Sequence, residues 1–113
     1  MTPSTDQAEI VDDIKSRMLG FKYDSEKLPW DLLPLDALEG IVKVLAFGAR
    51  KYAPNSWQQV KDAKRRYTAA MRRHQVAIDA GEEYDSDSSL PHIYHIACNA
   101  MFLSWFEKNG EKE

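Results

Sequence analysis

The sequence predicts an all-α fold, a bundle of three long helices preceded by a short or irregular N-terminal segment. Three observations carry that expectation. Between Gln58 and Ala80, Val60, Ala63, Tyr67, Ala70, His74 and Ala77 recur in steps of three and four, the seam of a packed helix. The stretch LPHIYHIACNAMFLSWF, Leu90 to Phe106, is apolar on nearly every side and too long for a strand. No segment alternates apolar and polar residues as a half-buried strand would.

Taken in order, the chain opens with a weak amphipathic pattern. Ile10, Val11, Ile14 and Met18 place a helix over roughly Asp6 to Leu19, with Gly20 as its stop. Residues 1–21 are read as this N-terminal segment, 22–108 as the folded domain and 109–113 as a tail. KYDSEKLPWDLLP, Lys22 to Pro34, holds two prolines and no helical period. An ordered loop is expected there, because Trp30, Leu32 and Leu33 are costly to leave in water. The first long helix starts near Asp36, where Asp36 and Glu39 have capping-box spacing. Leu38, Ile41, Val42, Leu45, Ala49 and Tyr52 then share a face, and Pro54 ends the helix. The second runs from about Gln58 to Ala80 and stops at Gly81. The acidic loop EEYDSDSS leads to the third, with Ser89 as expected cap, Pro91 in its first turn and Gly110 beyond its end.

With 113 residues the chain fits one domain. Its composition, 43 % hydrophobic and 29 % charged, is that of a globular protein rather than a disordered one. Fifteen basic against 18 acidic side chains give a net charge of -3, which offers no field for nucleic acid. Single-stranded nucleic-acid binding through the aromatics and arginines is a weak reading for the same reason. One cysteine, Cys98, excludes an internal disulfide or a Cys-rich zinc site. Neither a secretory h-region nor a membrane-spanning run is visible, so the expected location is cytoplasmic, that of the host cell if the chain is phage-encoded.

Chemistry concentrates at a few places. His92, His95 and Asn99 fall within about a 60° arc of the third helix. An unpartnered amide among apolar neighbours costs about 1–3 kcal/mol, so something polar must face Asn99. These groups either satisfy the bundle backbone and each other or line a wet or metal-bearing site. His74 holds a seam position in the second helix, where a lone histidine is more often structural. A second helix turning polar groups inward raises its weight. Of the neighbouring arginines, most read as a solvated face, and Arg73 is a candidate phosphate contact. Glu82, Glu83, Asp85 and Asp87 are hard oxygen donors suited to Mg²⁺ or Mn²⁺, against the plainer reading of a solvated loop. No EF-hand, HExxH or His-Asp dipeptide is present. Glu39 is explained by capping, yet also flanks the apolar stripe where a metal-binding carboxylate would sit. In FGARKYAPNSW, Lys51, Asn55 and Trp57 could meet a phosphate and a purine, or Trp57 could plug the core.

KYDSEKLPWDLLP, VLAFGARKYAPNSW, RRYTAAMRRH, GEEYDSDSS and LPHIYHIACNAMFL, in this order, resemble the N-terminal-type dATP/dGTP diphosphohydrolase domain found largely in phage proteins. That domain is similar to the MazG-type all-α nucleoside triphosphate pyrophosphohydrolases. The resemblance runs from about Lys22 to Phe106 and has two departures. Asp87-Ser88-Ser89 stands where the family commonly has Glu-Ser-Gly or Glu-Thr-Gly, and the ExxE and ExxD pairs of the MazG-type enzymes are not intact. It implies a Mg²⁺- or Mn²⁺-dependent enzyme that hydrolyses a deoxypurine triphosphate to monophosphate and diphosphate, and a homo-oligomer, dimer or tetramer. In that frame Glu39, Glu82, Asp85, Asp87 and His92 are candidate metal ligands, and His92, His95 and Asp85 candidate catalytic groups. Lys27, Trp30, Lys51, Asn55, Trp57, Arg73, His74 and Asn99 are candidate substrate contacts. The alternative is a non-catalytic helical module of a phage or host-interaction protein, its polar edge serving packing alone.

Overall fold

The structure, a computed structural model, describes residues 27–112. The expected helix over Asp6–Leu19 lies outside them. The chain divides into two compact units, Met1–Pro34 and Leu35–Glu113. In the first, Pro29 leads into one 3-10 turn, Trp30–Leu32, closed by Leu32 N–H to Pro29 O at 3.0 Å and Leu33 N–H to Trp30 O at 3.1 Å. Of the expected ordered loop only residues 27–34 are described, and their large apolar side chains are not covered: Trp30 is 72 % exposed, and Leu28, Leu32 and Leu33 are exposed as well.

The second unit is built on three helices, α1 (Glu39–Lys51), α2 (Ala63–Asp79) and α3 (His92–Asn109), with no strand among the described residues beyond a single Tyr84–Pro91 bridge. A 3-10 turn, Leu35–Leu38, runs directly into α1, so Leu38 takes the N-cap position and no side chain caps it. The capping box expected from Asp36 and Glu39 therefore does not form. Asp36 is already inside the turn, and Glu39 pairs instead with Lys43 one turn on, 3.6 Å away. Tyr52 N–H closes the helix onto Gly48 O at 2.9 Å, two residues before Pro54.

Of the face expected for the first helix, Leu38, Ile41, Leu45 and Ala49 are partly covered while Val42 and Tyr52 are exposed; Val44, Phe47 and the buried Gly40 widen the covered side. The ring carbons of Tyr94 on α3 lie 2.5–2.8 Å from where a Cβ on Gly40 would be. Only a residue without a side chain lets the two helices approach so closely.

α2 is shorter at its start than the 58–80 periodicity suggests. Ser56–Gln59 form a separate 3-10 turn, and Asp62 adopts the left-handed region, φ 56°, before Ala63. Trp57 holds that turn in place. It stacks on Phe102 at 4.3 Å and meets Trp105 and Phe106 edge-on, while Tyr67 donates to Trp57 O at 2.9 Å. Gly81 ends α2 at φ +92°, and Gly110 ends α3 at φ +77°.

α3 packs against both α1 and α2. That position explains most of its apolarity, and Ile93, Ala100, Ser104 and Glu107 form the stripe it leaves to solvent. Ser89 does not cap it. Pro91 takes the N-cap position, and the first helical N–H, that of His92, donates to Glu83 O at 2.8 Å. The loop itself thus satisfies the helix start. Between α1, the Tyr52–Val60 segment, α2 and α3 lies a cleft of about 1180 Å³.

Candidate functional site: an imidazole–carboxylate cluster at the cleft

The loop between α2 and α3 is a closed structure rather than a solvated tether. Asp85 N–H donates to Leu90 O at 2.8 Å, and Ser89 N–H donates to Asp85 O at 2.9 Å. The Asp85 carboxylate accepts the N–H groups of Asp87 and Ser88 at 3.2 and 2.8 Å. This folding turns Asp85 inward and leaves it half-buried, against three imidazoles from the two long helices.

His74 of α2 and His92 and His95 of α3 converge there. His74 Nδ1 and His92 Nδ1 are 2.8 Å apart, and His74 stacks flat on His95 with centroids 4.5 Å apart. His95 Nε2 lies 2.7 Å from Ser88 Oγ and 3.8 Å from Asp85 Oδ2. Asn99, 7 % exposed, donates to His95 O at 2.8 Å, which satisfies one of its amide hydrogens within its own helix. His92, 5 % exposed, keeps Nε2 without a hydrogen-bond partner among the described residues; Glu82 Oε2 is 3.8 Å away. One ligand atom from each of His74, Asp85 and His92 lies within 4.8 Å of the other two.

Electrostatics favour the neutral forms of His74 and His95 and the ionised form of Asp85. Burial lowers the pKa of His74, reinforced by the neighbouring His95 and opposed by Asp85. Burial lowers that of His95 as well, again against the pull of Asp85. For Asp85, burial works against ionisation, but the Ser88 hydrogen bonds and the adjacent imidazoles win and its pKa falls. Two neutral imidazoles beside an ionised carboxylate present lone pairs, which is what a cation needs. One turn further into α3, burial pushes the Cys98 thiol up to about 12, so it is inert.

The remaining candidates divide. Asp87 is engaged by Lys51 at 2.6 Å, a pair that ties the loop to the end of α1. Glu39 pairs with Lys43 and does not join the cluster. Lys51, Asn55, Trp57 and Arg73 line the cleft together with His74, His95 and Asn99. Trp57 is held in the aromatic stack on Phe102, so it packs the cleft wall rather than offering a free face. Lys27 and Trp30 belong to the other unit. Ser88, which the sequence did not single out, bridges Asp85 and His95. Arg66, one of the arginines near His74 of which some were expected to reach a phosphate, lines the cleft seven residues before Arg73, hence on the same side of α2. The i to i+7 spacing of the two arginines was a readable signal; the role of Ser88 was not.

Among the described residues, no helix is long and apolar enough to cross a membrane. Residues 18–113 match the family described as dATP/dGTP diphosphohydrolase, N-terminal. A curated dATP/dGTP diphosphohydrolase of Salmonella phage PMBT28 is 33 % identical over 92 residues, 81 % of this chain. The chain spans only 31 % of that relative's length. No solved structure matches. Both the extent of the family match and the identity to the phage protein lead to one conclusion: the chain belongs to the dATP/dGTP diphosphohydrolase N-terminal family.

Proposed function

We propose that the chain hydrolyses deoxypurine nucleoside triphosphates, dGTP or dATP, to the monophosphate and diphosphate, using Mg²⁺ or Mn²⁺ and working as a homo-oligomer. The observation that carries this reading is the His74–Asp85–His92 cluster opening into a cleft lined by cationic side chains. The name of the phage relative supports the substrate class.

The convergent ligand atoms of His74, Asp85 and His92 fit a divalent cation held by those three residues. When bound, such an ion would supply positive charge against the phosphates and polarise the phosphoryl group under attack. Arg66, Arg73 and Lys51 line the cleft and would neutralise the remaining phosphate charge, with the arginine forks suited to non-bridging oxygens. Phe47, Tyr52 and Val42 add an apolar wall to the cleft for the purine. His95, held neutral by burial and oriented by Ser88, is the group placed to take a proton from water through the Ser88 hydroxyl. The water oxygen bonds to the α-phosphorus, the bond from that phosphorus to the bridging oxygen breaks, and diphosphate leaves with the electron pair. The water proton passes to Ser88 Oγ as the serine hydroxyl gives its own proton to His95 Nε2, 2.7 Å away.

The test is to incubate the purified chain with each common ribo- and deoxyribonucleoside triphosphate and Mg²⁺ or Mn²⁺, and to identify the products by phosphorus NMR. Diphosphate from dGTP or dATP is the expected result. Release of intact triphosphate or of orthophosphate, or no turnover, overturns the proposal.

A further inference from the structure

We infer that the resident ion of the His74–Asp85–His92 centre is a transition-metal dication of the Mn²⁺, Fe²⁺, Co²⁺ or Zn²⁺ class, and that Mg²⁺ does not occupy it. This deepens the metal-centre reading above and rests on it, and it narrows the choice of ion made there.

The donor set is the first ground. Mg²⁺ is a hard cation that takes oxygen ligands and keeps several waters, whereas imidazole suits the first-row transition metals. Two of the three converging ligands here are imidazoles. Of the other acidic candidates, Asp87 pairs with Lys51 and Glu39 with Lys43, while Glu82 lies beside the Nε2 side of His92, 3.8 Å away, and is not in the convergent group. Asp85 alone contributes a carboxylate to the convergent group.

Geometry is the second ground. Around an ion with metal–nitrogen bonds of about 2.1 Å, two ligands at right angles sit about 3 Å apart. The observed separation of His74 Nδ1 and His92 Nδ1 is 2.8 Å. As an imidazole–imidazole hydrogen bond the contact needs a proton on one Nδ1; on a cation both Nδ1 lone pairs are used, and the His92 proton then sits on Nε2, on the side of Glu82 Oε2, which at 3.8 Å is outside hydrogen-bond range.

The test needs no turnover. The chain is stripped with a chelator, then titrated with Co²⁺ while visible absorption and calorimetry are recorded, with and without a large excess of Mg²⁺. The inference expects one Co²⁺ per chain, visible bands that change neither in intensity nor in midpoint with Mg²⁺, and displacement by Zn²⁺. His74→Gln and Asp85→Asn, both half-buried sites, should weaken Co²⁺ binding by about tenfold or more while circular dichroism stays native. His92→Gln should do the same, but it alters a buried group, so the other two variants decide if it does not fold. Absence of saturable Co²⁺ binding, competition by Mg²⁺ on an equal footing, or unchanged binding in His74→Gln and Asp85→Asn overturns the inference. A chain that takes up Co²⁺ as described but leaves dGTP intact sinks the hydrolase reading and not this one. Hydrolysis of dGTP with Mg²⁺ by a chain that takes up no Co²⁺ does the reverse.

Discussion

At the scale of single residues, the cluster stands on Ser88 as much as on the histidines. Its N–H and hydroxyl hold Asp85 and His95 in register, at 2.8 and 2.7 Å. Ser88→Ala removes the hydroxyl and strips His95 Nε2 of its nearest partner. Leaving such a half-buried polar atom unpaired costs about 1–3 kcal/mol, so chemical denaturation should show a lower midpoint with an unchanged slope. The imidazoles also set the pH response. His74 and His95 have folded pKa values below the ordinary 6.5, so the unfolded chain binds more protons than the folded one as pH falls past that value. The stability they contribute is present above about pH 6.5 and is lost on acidification. Asp85 acts in the same direction lower down, its contribution fading as pH drops through its depressed pKa. Melting temperature measured without metal should therefore fall steadily between neutral pH and about pH 5. A flat profile there would show that the imidazoles are not held neutral by burial.

Among the elements, the contact of α1 with α3 at Gly40 is the most constrained. A methyl group there would sit 2.5 Å from the Tyr94 ring, closer than any real contact. Gly40→Ala should cost about 1–3 kcal/mol through overpacking, even though alanine favours helix, and thermal unfolding would register it. That position also shows where sequence reading stops. The apolarity of Leu90–Phe106 correctly marked a long helix packed into the bundle, and the imidazole edge was visible as a polar stripe on it. Hydropathy periodicity put Leu38, Ile41, Leu45 and Ala49 on the covered side correctly but could not mark Gly40, which packs against the Tyr94 ring, because a glycine carries no hydrophobic signal. The caps were misread for a related reason. Asp36 and Ser89 have the right residue types, but a preceding 3-10 turn and a closed loop already occupy the positions from which they would act. In the loop, spacing treats Asp85 and Asp87 alike. Only the turn that folds Asp87 N–H and Ser88 N–H onto Asp85 decides that one faces the imidazoles and the other meets Lys51.

For the molecule as a whole, the described residues bury little. Ala63, Cys98 and Phe106 are the apolar side chains fully withdrawn from water, while Val42, Tyr52, Val76 and Ile93 are more than half exposed. An exposed apolar load of this kind is usually relieved by association. Light scattering of the 13.0 kDa chain should therefore return a mass at least twice that value. A monomer at all concentrations would remove the oligomer from the proposal and leave the cluster untouched. The cleft and the cluster are contiguous, with His74, His95 and Asn99 belonging to both, and this continuity ties substrate to chemistry. Its most direct test is kcat/KM for dGTP in Asp85→Asn against the unaltered chain, measured at matched helicity. A loss of at least about a hundredfold is the expected result, the scale of removing one group that orders the reacting atoms. Activity within roughly twofold of the unaltered chain would contradict the placement of the reaction at this cluster.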